Sequence, residues 1–155
     1  MRTLSSTLIL ATLSSLALAE PVTEATKHLK GRVAIDDKEF PDKQGKDLAK
    51  YFEERLTARK VKRDTDGLWS VYFYAVFNKE AVKGPITILL YDKADPVGAV
   101  DVKSIPSEEK TWTFRNVIAL DENLGFNKAH TYELRIGQLF GKQAKIYAKG
   151  EVTLE

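Results

Sequence analysis

The sequence predicts a mainly β domain: a seven-stranded antiparallel sandwich with one helix, at about 46–58, in an early connection. Three observations predict it. In residues 68–77, LWSVYFYAVF, the odd positions Trp69, Val71, Phe73, Ala75 and Phe77 are all apolar, and side chains on a strand alternate between faces. Further alternating runs follow, mostly separated by short turns, without the strand–helix–strand rhythm of a parallel sheet. One stretch alone, 46–58, places its apolar residues at helical spacing.

The chain opens on Met1-Arg2, continues through an apolar segment at 8–18 and reaches Ala17-Leu18-Ala19. That order is the three-part pattern of a secretory signal peptide, with cleavage expected after Ala19. The apolar run is too short for a membrane anchor and holds Ser14 and Ser15. There is no cysteine, so no lipid can be attached just after the signal, and the exported domain must be held by its core alone. No N-x-[ST] acceptor occurs, which favours the periplasm or secretion from a bacterium. The 24 Lys and Arg nearly balance the 22 Asp and Glu. A chain so close to neutral predicts no strong attraction to nucleic acid, and no second apolar run is long enough to span a membrane.

Residues 20–31 are polar and aperiodic and read as a flexible leader. Residues 32–36 form a short strand with Val33 and Ile35 inward, and 37–45, with Pro41 and Gly45, form a loop. In the helix, Leu48, Tyr51, Phe52 and Leu56 share one side. The strand at 68–77 is rich in aromatic and β-branched residues, which suit a pleated surface. Pro85 can open the next strand, 85–92. Both faces of these two strands are apolar enough to make them a central pair. Residues 97–102 follow, with Val100 and Val102 inward, and then a turn at 106–110. The strand at 111–120 is interrupted by Asn116, a bulge candidate. After a loop at 121–129 come 131–139, a hairpin tip at Gly141-Lys142, and 144–154 with Ile146, Ala148, Val152 and Leu154 inward.

Residues 124–136, LGFNKAHTYELRI, resemble the approach to strand F of immunoglobulin-like domains, where a tyrosine bonds back to upstream backbone. The resemblance implies an immunoglobulin-like β-sandwich in which Tyr132 is that corner residue and Leu134 takes the place of a disulfide cysteine. The chain departs from the pattern in lacking cysteine, and neither Trp69 nor Trp112 matches the usual core tryptophan. Such sandwiches host many unrelated functions, so the resemblance implies none.

Catalytic chemistry is poorly supplied. Beyond the signal there are three serines (Ser70, Ser104, Ser107), two histidines (His28, His130) and no nucleophile motif. A carboxylate-only hydrolase is the least favoured reading. Asp64 and Asp66 precede the first central strand, and Asp92 and Asp95 end the second. If they converged they could hold calcium, an arrangement that would look like the C2 domains and their binding to anionic lipid; the alternative is ordinary turn chemistry. Arg55, Arg59, Lys60, Lys62 and Arg63 form a basic run, either an anion patch or a solvated helix end. Tyr72, Tyr74, Leu89 and Tyr91 form a candidate partner surface unless the helix covers them. The expectation is an exported, non-catalytic binding module without a cofactor, contacting another envelope or secreted protein. The alternative is calcium-dependent binding to anionic lipid.

Overall fold

The structure, a computed structural model, describes residues 26–57 and 59–155. The expected signal peptide and the start of the leader lie outside the described residues. Among the described residues eight strands are formed: β1 (Arg32–Asp36), β2 (Arg59–Val61), β3 (Trp69–Ala81), β4 (Ile86–Asp92), β5 (Asp101–Ile105), β6 (Thr111–Leu120), β7 (Thr131–Phe140) and β8 (Gln143–Leu154). All belong to one sheet of order β5-β4-β7-β8-β1-β3-β6, with β2 also on β8. The sheet is curled into a half-barrel. One helix, α1 (Gly45–Glu53), accompanies it.

Among the described residues the mainly β expectation and the single helix hold. The two-sheet antiparallel sandwich is replaced by one mixed sheet, because β1 and β2 both run parallel to β8. The long β8 makes this arrangement. One of its sides pairs with β7 over the strand's length, while the other takes β1 at Lys149 and then β2 at Val152, Thr153 and Leu154. Alternation tells which face a side chain occupies and is silent about which strand lies alongside.

The inner face carries the main core. Trp69, Val71, Phe73, Ala75 and Phe77, the expected apolar set of β3, pack there with Ile88, Leu90, Tyr132, Leu134 and Val152. On the outer face α1 lies over β1 and β3. Leu48, Ala49 and Phe52 close on Ala34, Phe40, Tyr74 and Val76. The supposed leader takes part in this second cluster: Lys27–Leu29 is a 3₁₀ turn, and Leu29 is buried.

Several expectations are corrected in detail. Strands β3 and β4 are interior, as expected, but not paired with each other; β3 lies between β1 and β6, and β4 between β5 and β7. The helix stops at Glu53, five residues short of the expected end, because Arg55 turns back toward Asp36. The fifth strand starts later than expected; Val100, just before it, packs against the core as expected, but within the strand the faces are reversed. Asp101 and Lys103 sit opposite the inner residues Leu90 and Ile88, while Val102 is exposed. Charged side chains turned inward on a short edge strand discourage edge-to-edge pairing. No bulge occurs at Asn116; the register shifts lie between Val76 and Ala81 and between Ile136 and Gly137. The second shift breaks the alternation expected of β8: Tyr147 is buried and Ile146 only partly so. Gly137 permits it, since a Cβ there would lie 1.8 Å from the Lys145 carbonyl oxygen.

Candidate functional site

The tyrosine surface is divided. Tyr74 is buried beneath α1, with its ring 5.6 Å from Phe52 and 5.9 Å from Phe40, and Tyr72 packs at the margin of the same cluster. Leu89 and Tyr91 lie on the opposite wing, with three strands between. There the Arg135 guanidinium stacks 4.0 Å from the Tyr91 ring. The four residues therefore make no common patch.

The four aspartates share an end of the sheet without converging, and among the described residues no three acidic or histidine side chains gather to hold a metal ion. Each pair serves its own turn. Asp64 accepts the N–H groups of Asp66 (3.0 Å) and Leu68 (2.9 Å) and the Ser70 hydroxyl. Asp92 accepts the Ala94 N–H at 2.9 Å, and its carbonyl accepts the Asp95 N–H at 3.1 Å. These are the side-chain and backbone bonds by which aspartate shapes turns.

The basic run is similarly dispersed, and it lies beyond the helix. Arg55 binds the buried Asp36, and Arg59 approaches the same carboxylate at 3.6 Å. Lys60 pairs with Glu155 and Arg63 with Glu122, both at 2.6 Å; Lys62 is exposed. Asp36 is the centre of this region, also accepting the Tyr51 hydroxyl (2.9 Å) and the Asp37 N–H (2.8 Å). Burial alone would push its carboxyl up; the bonds from Arg55, Asp37 and Tyr51 outweigh that and hold it down to about 2. The cluster ties α1 and its following turn to β1, a structural lock.

His130 and Asp92 form a pair that spacing did not reveal. Nδ1 of His130 lies 2.6 Å from the Asp92 carboxylate, with the ring stacked on Tyr132. The preceding Ala129 has a left-handed φ of 67°, an uncommon state for a residue with a Cβ. A base held by a carboxylate needs a nucleophile or substrate to act on. Ser70 is tied to Asp64, and Ser107 to the carbonyl of Glu109. The pair fastens the end of β4 to the start of β7. Beside it, the bond expected of Tyr132 is present: its hydroxyl accepts the Asn127 N–H at 2.7 Å.

The free edge of β6 is partly closed by its own side chains. Val76 gives its carbonyl to Gly31, toward β1. By the alternation of ladder bonds, the residues of β6 opposite Val76, Tyr74, Tyr72 and Ser70 turn their polar backbone groups outward. These are Thr113, Arg115, Val117 and Ala119. Thr111 Oγ1 accepts the Thr113 N–H, and Asn116 Oδ1 accepts that of Val117. Two of four outward donors are thus already occupied.

What remains is the far end of the β7–β8 hairpin. Pairing of β7 with β4 stops at Gly137, and pairing of β8 with β1 involves only Lys149. The rungs Gln138–Lys145, Leu139–Ala144 and Phe140–Gln143 continue beyond both. Among the described residues they form a two-stranded ribbon without a strand paired on either side. Its base is braced by the buried Gln138, whose amide accepts the Val82 N–H (3.1 Å), donates to the Val82 carbonyl (2.8 Å) and accepts the Tyr147 hydroxyl (3.2 Å). Leu139 (49% exposed), Phe140 (42%) and the adjoining Val82 (45%) place three large apolar side chains in solvent at this one end. The sequence marked Gly141-Lys142 as a turn, but it could not show the overhang, which depends on where the neighbouring strands stop.

Among the described residues no helix is long and apolar enough to cross a membrane. No family model, curated protein or solved structure matches the chain.

Proposed function

We propose that the chain is an exported, non-catalytic binding module of the bacterial cell envelope or secreted space, and that it makes its contact through the β7–β8 ribbon. The carrying observation is the braced overhang with Leu139 and Phe140 exposed at its tip. Three of the seven large apolar side chains exposed among the described residues, Val82, Leu139 and Phe140, gather at this one end, and apolar side chains gathered in one place mark a contact surface. Of the other surfaces considered for a partner, Tyr72 and Tyr74 lie under α1, Leu89 and Tyr91 sit apart on the uncovered wing, the basic run is largely paired with acids, and the edge of β6 is partly closed. The signal-peptide pattern supports export. The corner bond at Tyr132 supports a distant local likeness to immunoglobulin-like domains, while the single mixed sheet weighs against a two-sheet sandwich.

The test is fractionation of cells producing the full chain, beside a form with Leu139→Ser and Phe140→Ser. The expected result is a processed protein beginning at Glu20 that is retained with the envelope. The double variant should be processed equally but released into the soluble fraction. Equal retention of the two forms would remove the ribbon from the function, and an unprocessed cytoplasmic protein would remove export.

A further inference from the structure

Resting on the reading of the ribbon as the contact element, we infer that its occupant is the surface of an anionic lipid bilayer, bound without calcium. The argument is charge complementarity joined to shape. Between Glu133 and Glu151 every charged residue is basic: Arg135, Lys142, Lys145 and Lys149. Lys142 sits in the turn and Lys145 lies just beyond it on β8, and both are exposed. Lys145 Nζ stands 4.6 Å from the centroid of the Phe140 ring, which brings cation and apolar ring together at the tip. Across the neighbouring turns the acidic Glu108 is engaged by Lys83 at 3.6 Å.

A protruding tip suits a planar, yielding surface better than it suits a pocket. Leu139 and Phe140 can enter the boundary between headgroups and acyl chains, and the lysines can reach phosphates from their flexible stems. Peripheral attachment needs two such signals together, since one short apolar insertion binds only marginally. The brace at Gln138 and the bulge at Gly137 hold the tip in place before contact, so little order need be gained on docking. The calcium route is unnecessary to this reading, because the four aspartates lie at the other end of the sheet from the ribbon and serve their own turns.

The experiment is co-sedimentation of the purified protein, in EDTA, with vesicles of phosphatidylcholine alone or of equal parts phosphatidylcholine and phosphatidylglycerol. Retention is expected on the anionic vesicles only, weakening as salt is raised. Each lysine near an anionic surface is worth about fivefold, so Lys142→Gln with Lys145→Gln should reduce affinity roughly 30-fold. Phe140→Ser should also weaken retention, with the unfolding midpoint of every variant unchanged. Equal retention on both vesicles, or indifference to these substitutions, overturns the inference. A shift from dimer to monomer on Phe140→Ser in the absence of lipid overturns it too, by assigning the ribbon to a second copy. If no vesicle retains the protein but envelope retention in cells still requires the ribbon, the lipid inference falls and the binding module stands. If the ribbon is dispensable in cells as well, both fall.

Discussion

The outer faces of β1–β3 and of β4–β7–β8 belong to the same sheet, yet one is roofed by a helix and the other is bare. On the roofed wing the outward residues are Ala34, Tyr74 and Val76, and Leu48, Ala49 and Phe52 of α1 close over them. On the bare wing Glu133, Arg135, Lys149 and Glu151 point outward. Arg135 binds Glu133 and stacks on Tyr91, while Lys93 reaches Glu151 at 2.6 Å. The roofed wing is stabilised by apolar area removed from water, the larger effect per residue. The bare wing has exposed ion pairs, each worth less than about 1 kcal/mol. The outward side chains of a strand thus state whether anything lies over it, even where they cannot say which strand lies beside it.

The contrast predicts its own largest effect. Phe52 is fully buried between helix and sheet, edge-on to Tyr74. Phe52→Ala should destabilise the protein by about 3–5 kcal/mol in urea unfolding, by lost transfer energy and the cavity left behind. Tyr91→Ala on the bare wing should cost about 1 kcal/mol or less. Equal losses at the two positions would break the comparison.

A smaller effect should appear at the polar fastening of the same helix. Asp36→Asn removes the charge that answers Arg55 and Arg59 and should cost about 3 kcal/mol at neutral pH, because a partly buried guanidinium is left without its partner. The acid limb gives an independent reading. Asp36 is held near 2 in the native state against an ordinary value of 3.8. As pH falls through that interval, the unfolded chain takes up a proton that the native carboxylate still refuses. The stabilisation is complete above about pH 4 and lost as pH falls through about 2, amounting to about 2 kcal/mol. In Asp36→Asn this portion of the acid sensitivity should vanish. An unchanged acid profile would show that the carboxylate is not held down by its bonds.

Much of this fold was legible because it is written locally. The odd residues of β3 announce a buried face, α1 shows its apolar stripe at Leu48 and Phe52, and Tyr132 stands where a corner tyrosine should. The assembly was not legible. The parallel seating of β1 and β2 on β8 depends on partners distant in sequence, and the three residues of β2, Arg-Lys-Val, read as part of a charged run. The inward turn of Asp101 and Lys103 contradicts what hydropathy prefers, because an edge strand answers to protection of its edge as well as to burial. The surface we propose for contact was hidden for a related reason. The aromatic positions that attracted attention, Tyr72 and Tyr74, are apolar because a helix sits on them. The ribbon's residues became a surface only because β4 and β1 end before β7 and β8 do.

The smallest effect should be the most local, at the brace that makes the ribbon a fixed part of the bare half of the molecule. Gln138→Ala removes the amide that bonds Val82 twice and Tyr147 once. Val82 is exposed enough for water to replace part of the loss, so global stability should fall by only about 1 kcal/mol. The informative measurement is amide hydrogen exchange, which reports openings smaller than global unfolding. Exchange should accelerate in the ribbon at Leu139, Phe140, Gln143 and Ala144, while the amides of α1 keep their protection. Such a result would show that the tip is held by its base and not by its own turn. Uniform acceleration across α1 and the ribbon would instead make Gln138 a residue of the common core, and the two wings one cooperative unit.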